Sequence, residues 1–164
     1  MLLRLPRRAY VLFFAVVFLL PVCAKALNTL ARTGVSLASS PVGRWKTFSS
    51  RTGEAKSIIA IWQKDGTLYG TIEHVFDPPV PHPRCIRCTG SMKDRPVLGL
   101  RILWGMRKDG DQWSGGQILD PQTGKIYTCT LRLEDGGRVL RVHGYIGISL
   151  FGRTVHWRRV DSGH

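Results

Sequence analysis

The residues of this sequence best suited to chemistry are the pair in Cys85-Ile86-Arg87-Cys88. They follow Pro78-Pro79-Val80-Pro81-His82-Pro83, a stiff and extended approach. Cys129 is the next and last Cys of the chain. Where thiols are oxidised, a structural disulfide is the leading expectation. Cys85 with Cys88 closes a small ring. Cys129 with either one closes a loop of about 40 residues, worth about 4 kcal/mol on the chain-entropy account. His82, Cys85, Cys88 and Cys129 together form a soft donor set of the kind zinc takes, but the spacing is short on one side only. A thioredoxin-like pair sits at a helix start after a strand, and the prolines oppose that. Covalent haem requires His after the second Cys, where this chain has Thr89.

Hydrolytic chemistry finds less support. There is no Gly-x-Ser-x-Gly elbow and no His-Glu-x-x-His. The acids outside tight turns are few, chiefly Glu54, Glu73, Asp77, Asp94 and Asp120. Asp77 and Asp120 each precede Pro, the ordinary place for a turn-forming Asp. His74 lies on the parity of Ile72 and Phe76, which reads as a core or rim histidine. No catalytic residue, metal or cofactor is expected. The candidate ligand-binding residues are Trp45, Trp104, Trp113 and Trp157, with Arg158 at the rim. The same rings, with Trp62, are equally able to fill a dry core.

The elements that must position these side chains are strands. Tyr127, Cys129, Leu131 and Leu133 share one parity, with Thr128, Thr130 and Arg132 on the other. Leu140, Val142 and Ile146 alternate with Arg141 and His143; Leu100, Ile102, Trp104 and Met106 alternate with Arg101 and Arg107. Period-two patterns between Asp-Gly turns predict antiparallel hairpins. Eight strands are expected, near 43–48, 57–64, 68–76, 98–106, 112–119, 125–134, 138–146 and 153–160. Eight hairpin-linked strands close most economically into an all-β, antiparallel, up-and-down barrel, which removes exposed edges. A barrel of that size either holds one small ligand or is filled by its own side chains.

The motifs then become familiar. Gly43-Arg44-Trp45, Asp77-Pro78-Pro79, Cys85-Ile86-Arg87-Cys88 and Pro96-Val97-Leu98-Gly99-Leu100 come first. Trp113-Ser114-Gly115-Gly116, Ile118-Leu119-Asp120-Pro121 and Arg141-Val142-His143-Gly144-Tyr145-Ile146-Gly147 follow, then Gly152-Arg153-Thr154 and Trp157. As an ordered set they resemble the bacterial exported family catalogued as domain of unknown function 2147, over about residues 41–160. That resemblance implies a compartment and a fold but no activity. A looser similarity is to lipocalins, which open on Gly-x-Trp and cover that Trp with a basic side chain from the last strand. It implies a lipocalin-like barrel in which Trp45 meets one of Arg153, Arg158 and Arg159.

The ends set the compartment. Met1-Leu2-Leu3-Arg4-Leu5-Pro6-Arg7-Arg8 is basic, Ala9 to Val22 is free of charge, and Ala24-Lys25-Ala26 has small residues at the cleavage positions. This is a secretory signal peptide over 1–26, cleaved after Ala26. The apolar run is shorter than the ~20 residues that span a bilayer. Cys23 invites a lipoprotein reading, which the bulk of Val22 before it opposes. Residues 27–39 read as a flexible tether, 40–160 as the barrel and 161–164 as a tail. The chain has 24 Lys and Arg against 11 Asp and Glu, a net charge of +13. Excision removes four cations and no acid, so the exported chain stays strongly basic. Export and the scatter of the cations argue against a nucleic-acid partner. The expectation is a periplasmic or secreted, non-catalytic binding module with no integral membrane domain after cleavage. Its partner is a small apolar or amphipathic ligand, or an anionic cell-envelope surface. A Cys-based redox or metal-binding accessory protein is the alternative.

Overall fold

The structure is a computed structural model that describes residues 39–160. The expected signal peptide, the tail over 161–164 and all of the tether except Ser39 lie outside the described residues.

The period-two segments form eight strands. They are β1 (Gly43–Phe48), β2 (Ala55–Lys64), β3 (Thr67–Val75), β4 (Arg101–Asp109), β5 (Gln112–Asp120), β6 (Lys125–Glu134), β7 (Val139–Tyr145) and β8 (Arg153–Arg159). Each pairs antiparallel with the next, and β8 returns to β1, giving a closed up-and-down barrel. The turns do what their composition dictates. Asp65 and Gly66 take φ of 49° and 74°, the left-handed pair that a two-residue hairpin needs, and the Lys64–Thr67 pair closes over them.

Alternating strand direction sorts the connections into two sets. The tight turns after β2, β4 and β6 lie at one end, together with the entry to β1 and the exit from β8. This is the closed end. Residues 49–54, 76–100, 121–124 and 146–152 connect the strands at the other, the loop end.

The core fills the closed half and reaches past the middle. Trp45, Leu68, Met106, Leu131 and Leu140, and Leu103 level with Ile118, are wholly buried. Gly116 on β5 makes this packing fit: a Cβ there would stand 2.3 Å from the sulfur of Met106 and 2.5 Å from the carbonyl oxygen of Trp104.

Three expectations about facing need correction. Leu100, Ile102, Trp104 and Met106 do not share one face. β4 carries two register shifts against β3, where Gly70 opposes Leu103, Leu68 opposes Met106 and Thr71 opposes Arg101. Each bulge adds a residue and so reverses the parity beyond it. Leu103 and Met106 are buried, whereas Trp104 is half-buried and paired with the exposed Gln117. A shift in the β2–β3 register likewise turns His74 outward, against Phe76 with ring centroids 4.5 Å apart. Ile146 falls just beyond β7 and is exposed.

The barrel's one junction between sequence-distant strands is also its shortest. β1 and β8 share only the pairs Trp45–Arg159 and Lys46–Arg158, both near the closed end. β7 and β8, by comparison, run in register from Val139–Arg158 to Gly144–Arg153. Toward the loop end this seam is spanned by the Arg153 guanidinium donating to Ser50 Oγ.

Candidate functional site

At the closed end, two cations lie over two indoles. Trp45 and Arg159 are register partners, and the guanidinium sits 4.3 Å from the indole centroid. Arg159 also donates to three carbonyl oxygens: Gly137 (2.7 Å), Val42 (2.9 Å) and Ser40 (2.8 Å). Trp45 Nε1 donates to the Pro41 carbonyl at 2.7 Å. One side chain of the last strand thus ties the first strand's entry to the β6–β7 turn. Lys108 Nζ lies 3.7 Å from the centroid of Trp113. Trp45, Trp113 and Trp157 are all buried here, so the structure brings three of the candidate residues together as the barrel floor.

The other two lie elsewhere. Trp104 is on the outer face, its Nε1 donating to Gln117 Oε1 at 3.2 Å. The cation over Trp45 is Arg159. Arg158, one residue off in parity, points outward, 5.8 Å from the Phe48 ring centroid. It lines an open groove of about 380 Å³ on the β1–β8 seam, with Lys46, Phe48, Arg159 and Val160. Sequence parity could have found Arg159, because it shares a face with Val155 and Trp157. Trp62 is also outside, stacked on Tyr69 at 4.7 Å, with Arg101 beside both rings.

The cysteines divide. Cys85 and Cys88 form a disulfide and both are buried; Cys129 is a free, buried thiol. The zinc donor set is therefore not assembled: two of its thiols are bonded to each other and Cys129 lies within the barrel wall. Among the described residues, no group of three or more His, Cys, Asp or Glu side chains is placed to hold a metal. Burial pushes the Cys129 thiol up to about 12, because a thiolate there would lose its water. The disulfide loop is seated on the β5–β6 turn. Gly124 takes φ of 72°, and a Cβ on it would fall 2.0 Å from the Arg87 carbonyl oxygen. Both sulfurs of the bond belong to buried residues.

The inward positions toward the loop end were missed as candidates. Ile118 pairs with Tyr127, and Val142 with Val155. Ile118, Tyr127 and Val155 are half-buried, unlike the side chains below them. A Cβ on Gly144 of β7 would come within 3.4 Å of Tyr127 and 3.7 Å of Ile118. On β1 and β2 the hydroxyls of Thr47 and Ser57 meet at 2.7 Å, a polar pair in an otherwise apolar lining. The interior is thus solid at the floor, and at the loop end Ile118, Tyr127 and Val155 leave an apolar, partly accessible surface with one phenol.

Comparison with known proteins follows these features. A family profile described as an uncharacterized protein conserved in bacteria, domain of unknown function 2147, matches residues 43–159. Among solved structures, the chain is similar to protein HP1028 from the human pathogen Helicobacter pylori, which is described as belonging to the lipocalin family. The TM-score is 0.65 at 17% sequence identity, covering 75% of this chain and 84% of that one. The likeness is one of fold. No curated protein matches the chain significantly.

Proposed function

The chain belongs to the bacterial family of domain of unknown function 2147, and on that premise we propose that it is an exported, non-catalytic binding module. Its ligand is a small apolar or amphipathic molecule held in the cup at the loop end. The observation that carries this reading is the contrast along the barrel axis. Trp45, Met106 and Leu140 near the closed end are wholly buried; toward the loop end Leu103, Ile72 and Val142 are still buried, but Ile118, Tyr127 and Val155 keep accessible surface. The lipocalin-like fold supports it, since small closed barrels hold ligands at their mouths. Export rests on the basic start, the apolar run and Ala24-Lys25-Ala26, with a mature N-terminus at Leu27 in the periplasm or outside the cell.

Native mass spectrometry of protein recovered from the exported fraction tests the reading, alongside titration with an apolar fluorescent probe. We expect one small-molecule adduct per chain, saturable probe uptake, and loss of both in Val155→Trp, which fills the cup. No adduct and no saturable uptake by the folded parent would overturn it.

A further inference from the structure

We propose that the loop end docks on an anionic lipid bilayer, with the β7–β8 loop entering the interface between headgroups and acyl chains. The proposal takes up the envelope-partner side of the binding-module reading and rests on its exported location. It stands on the loops, not on the cup.

The first observation is where exposed apolar surface lies. Every large hydrophobic side chain that is exposed among the described residues belongs to a loop-end connection or, as Ile126, to the strand start beside one. The concentration is greatest in the seven residues between β7 and β8. There Ile146 is 63% exposed, Ile148 62%, Leu150 81% and Phe151 78%. Leu150 and Phe151 ride together on the 3-10 turn Ser149–Phe151. On the opposite side of the rim, the β3–β4 loop exposes Val80, Ile86 and Leu98. A soluble barrel has no reason of its own to gather its apolar surface at one pole.

The second observation is that the loop is held in place. His143 Nε2 donates to the Ser149 carbonyl at 2.9 Å, and the Thr154 hydroxyl meets Nδ1 at 2.9 Å. The loop's apolar tips are thus presented from a support on β7 and β8.

Charge supplies the choice of partner. The connections at the closed end carry Asp65, Asp111 and Asp135 against Arg138. Those at the loop end carry Arg51, Arg84, Arg87, Lys93 and Arg95 against Glu54, Asp77 and Asp94. An anionic surface therefore attracts the pole that bears the apolar loop and is indifferent to the other. Apolar side chains backed by basic ones are what interfacial binding to anionic lipid uses. A free acidic protein would be met by the charges but gives no role to Leu150 and Phe151. A second copy of the chain would be met by the apolar tips but repelled by the charges.

Hydrogen–deuterium exchange of the full chain tests this, with and without vesicles of phosphatidylethanolamine containing phosphatidylglycerol. Exchange reports the segment that is covered, so attachment through any other part of the chain does not mimic the result. We expect slowed exchange over 146–152, none over the Glu134–Val139 turn, and loss of the effect with phosphatidylethanolamine alone. Leu150→Glu with Phe151→Glu should weaken the protection at least about tenfold, with melting unchanged. Arg87→Glu should weaken it about fivefold or more, and less so at high salt. Unchanged exchange in the loop, equal protection at both poles, or equal protection without phosphatidylglycerol would each overturn the proposal. Protection that grows with protein concentration and needs no vesicles would replace it with self-association. Val155→Trp should leave docking intact, and the Leu150 and Phe151 variant should leave probe uptake intact, so the two readings fail separately.

Discussion

Arg159 and Arg158 are neighbours in sequence and opposites in consequence. Arg159 covers an indole and donates to three carbonyls, whereas Arg158 lies outside against Phe48. Arg159→Ala should therefore cost about 3 kcal/mol, and Arg158→Ala no more than about 0.5 kcal/mol. Trp45→Ala should cost about 3–5 kcal/mol, since it empties a wholly buried site. Denaturant midpoints of the three variants beside the parent check this, and equal losses for the two arginines would contradict the floor described above. Cys129 gives a second residue-scale expectation. Its thiol is raised from near 9 to about 12 by burial, so the unfolded chain ionises first as the pH rises. Its contribution to stability is whole below about pH 9 and is lost progressively toward about pH 12, at no more than about 1.4 kcal/mol per unit. Between about pH 9 and about pH 12 the parent should lose stability more steeply than Cys129→Ala. Parallel pH curves for the two would place the thiol in contact with water.

At the scale of elements, most of the fold was legible. β6 reads cleanly because its inward Cys129 and Leu131 and its outward Arg132 alternate without interruption, and its bounds match the expectation at both ends. β4 was misread because two bulges break its alternation, and parity counted straight through a bulge puts the wrong face inward. Gly105, at φ of 76°, was the visible hint, since an isolated Gly inside a strand often marks such a kink. Parity also carried Arg159 onto the face of Trp157, so that miss was one of reading. The β7–β8 loop is different. Ile146, Ile148, Leu150 and Phe151 look like core in composition, and only the end of β7 at Tyr145 shows that they are not. The cup proposed at the loop end was illegible for a further reason. Its depth depends on which inward positions stack in the same layer, and that requires the register of all eight strands.

For the whole molecule, the short β1–β8 seam has a kinetic meaning. Every other junction joins strands adjacent in sequence, and all but β3–β4, with its long 76–100 loop, can form as a hairpin with little chain to order. The seam must bring Arg159 to Ser40, 119 residues away, and its loop-closure entropy is offset by two register pairs, the Val160 N–H to Arg44 carbonyl bond and the side chains of Arg159 and Arg153. It should therefore form after the folding transition state and be the first contact to open. Stabilisation that arrives so late slows unfolding without hastening folding. Arg159→Ala should then leave the refolding rate within about twofold and raise the unfolding rate about a hundredfold, the kinetic equivalent of about 3 kcal/mol. Stopped-flow refolding and unfolding across a denaturant series separates the two limbs; a slowed refolding limb would mean that the ends meet early. The clasp at the closed end thus governs how long a folded barrel persists once made, a lifetime that would matter for a protein working, as proposed, beyond the reach of the cytoplasm's chaperones.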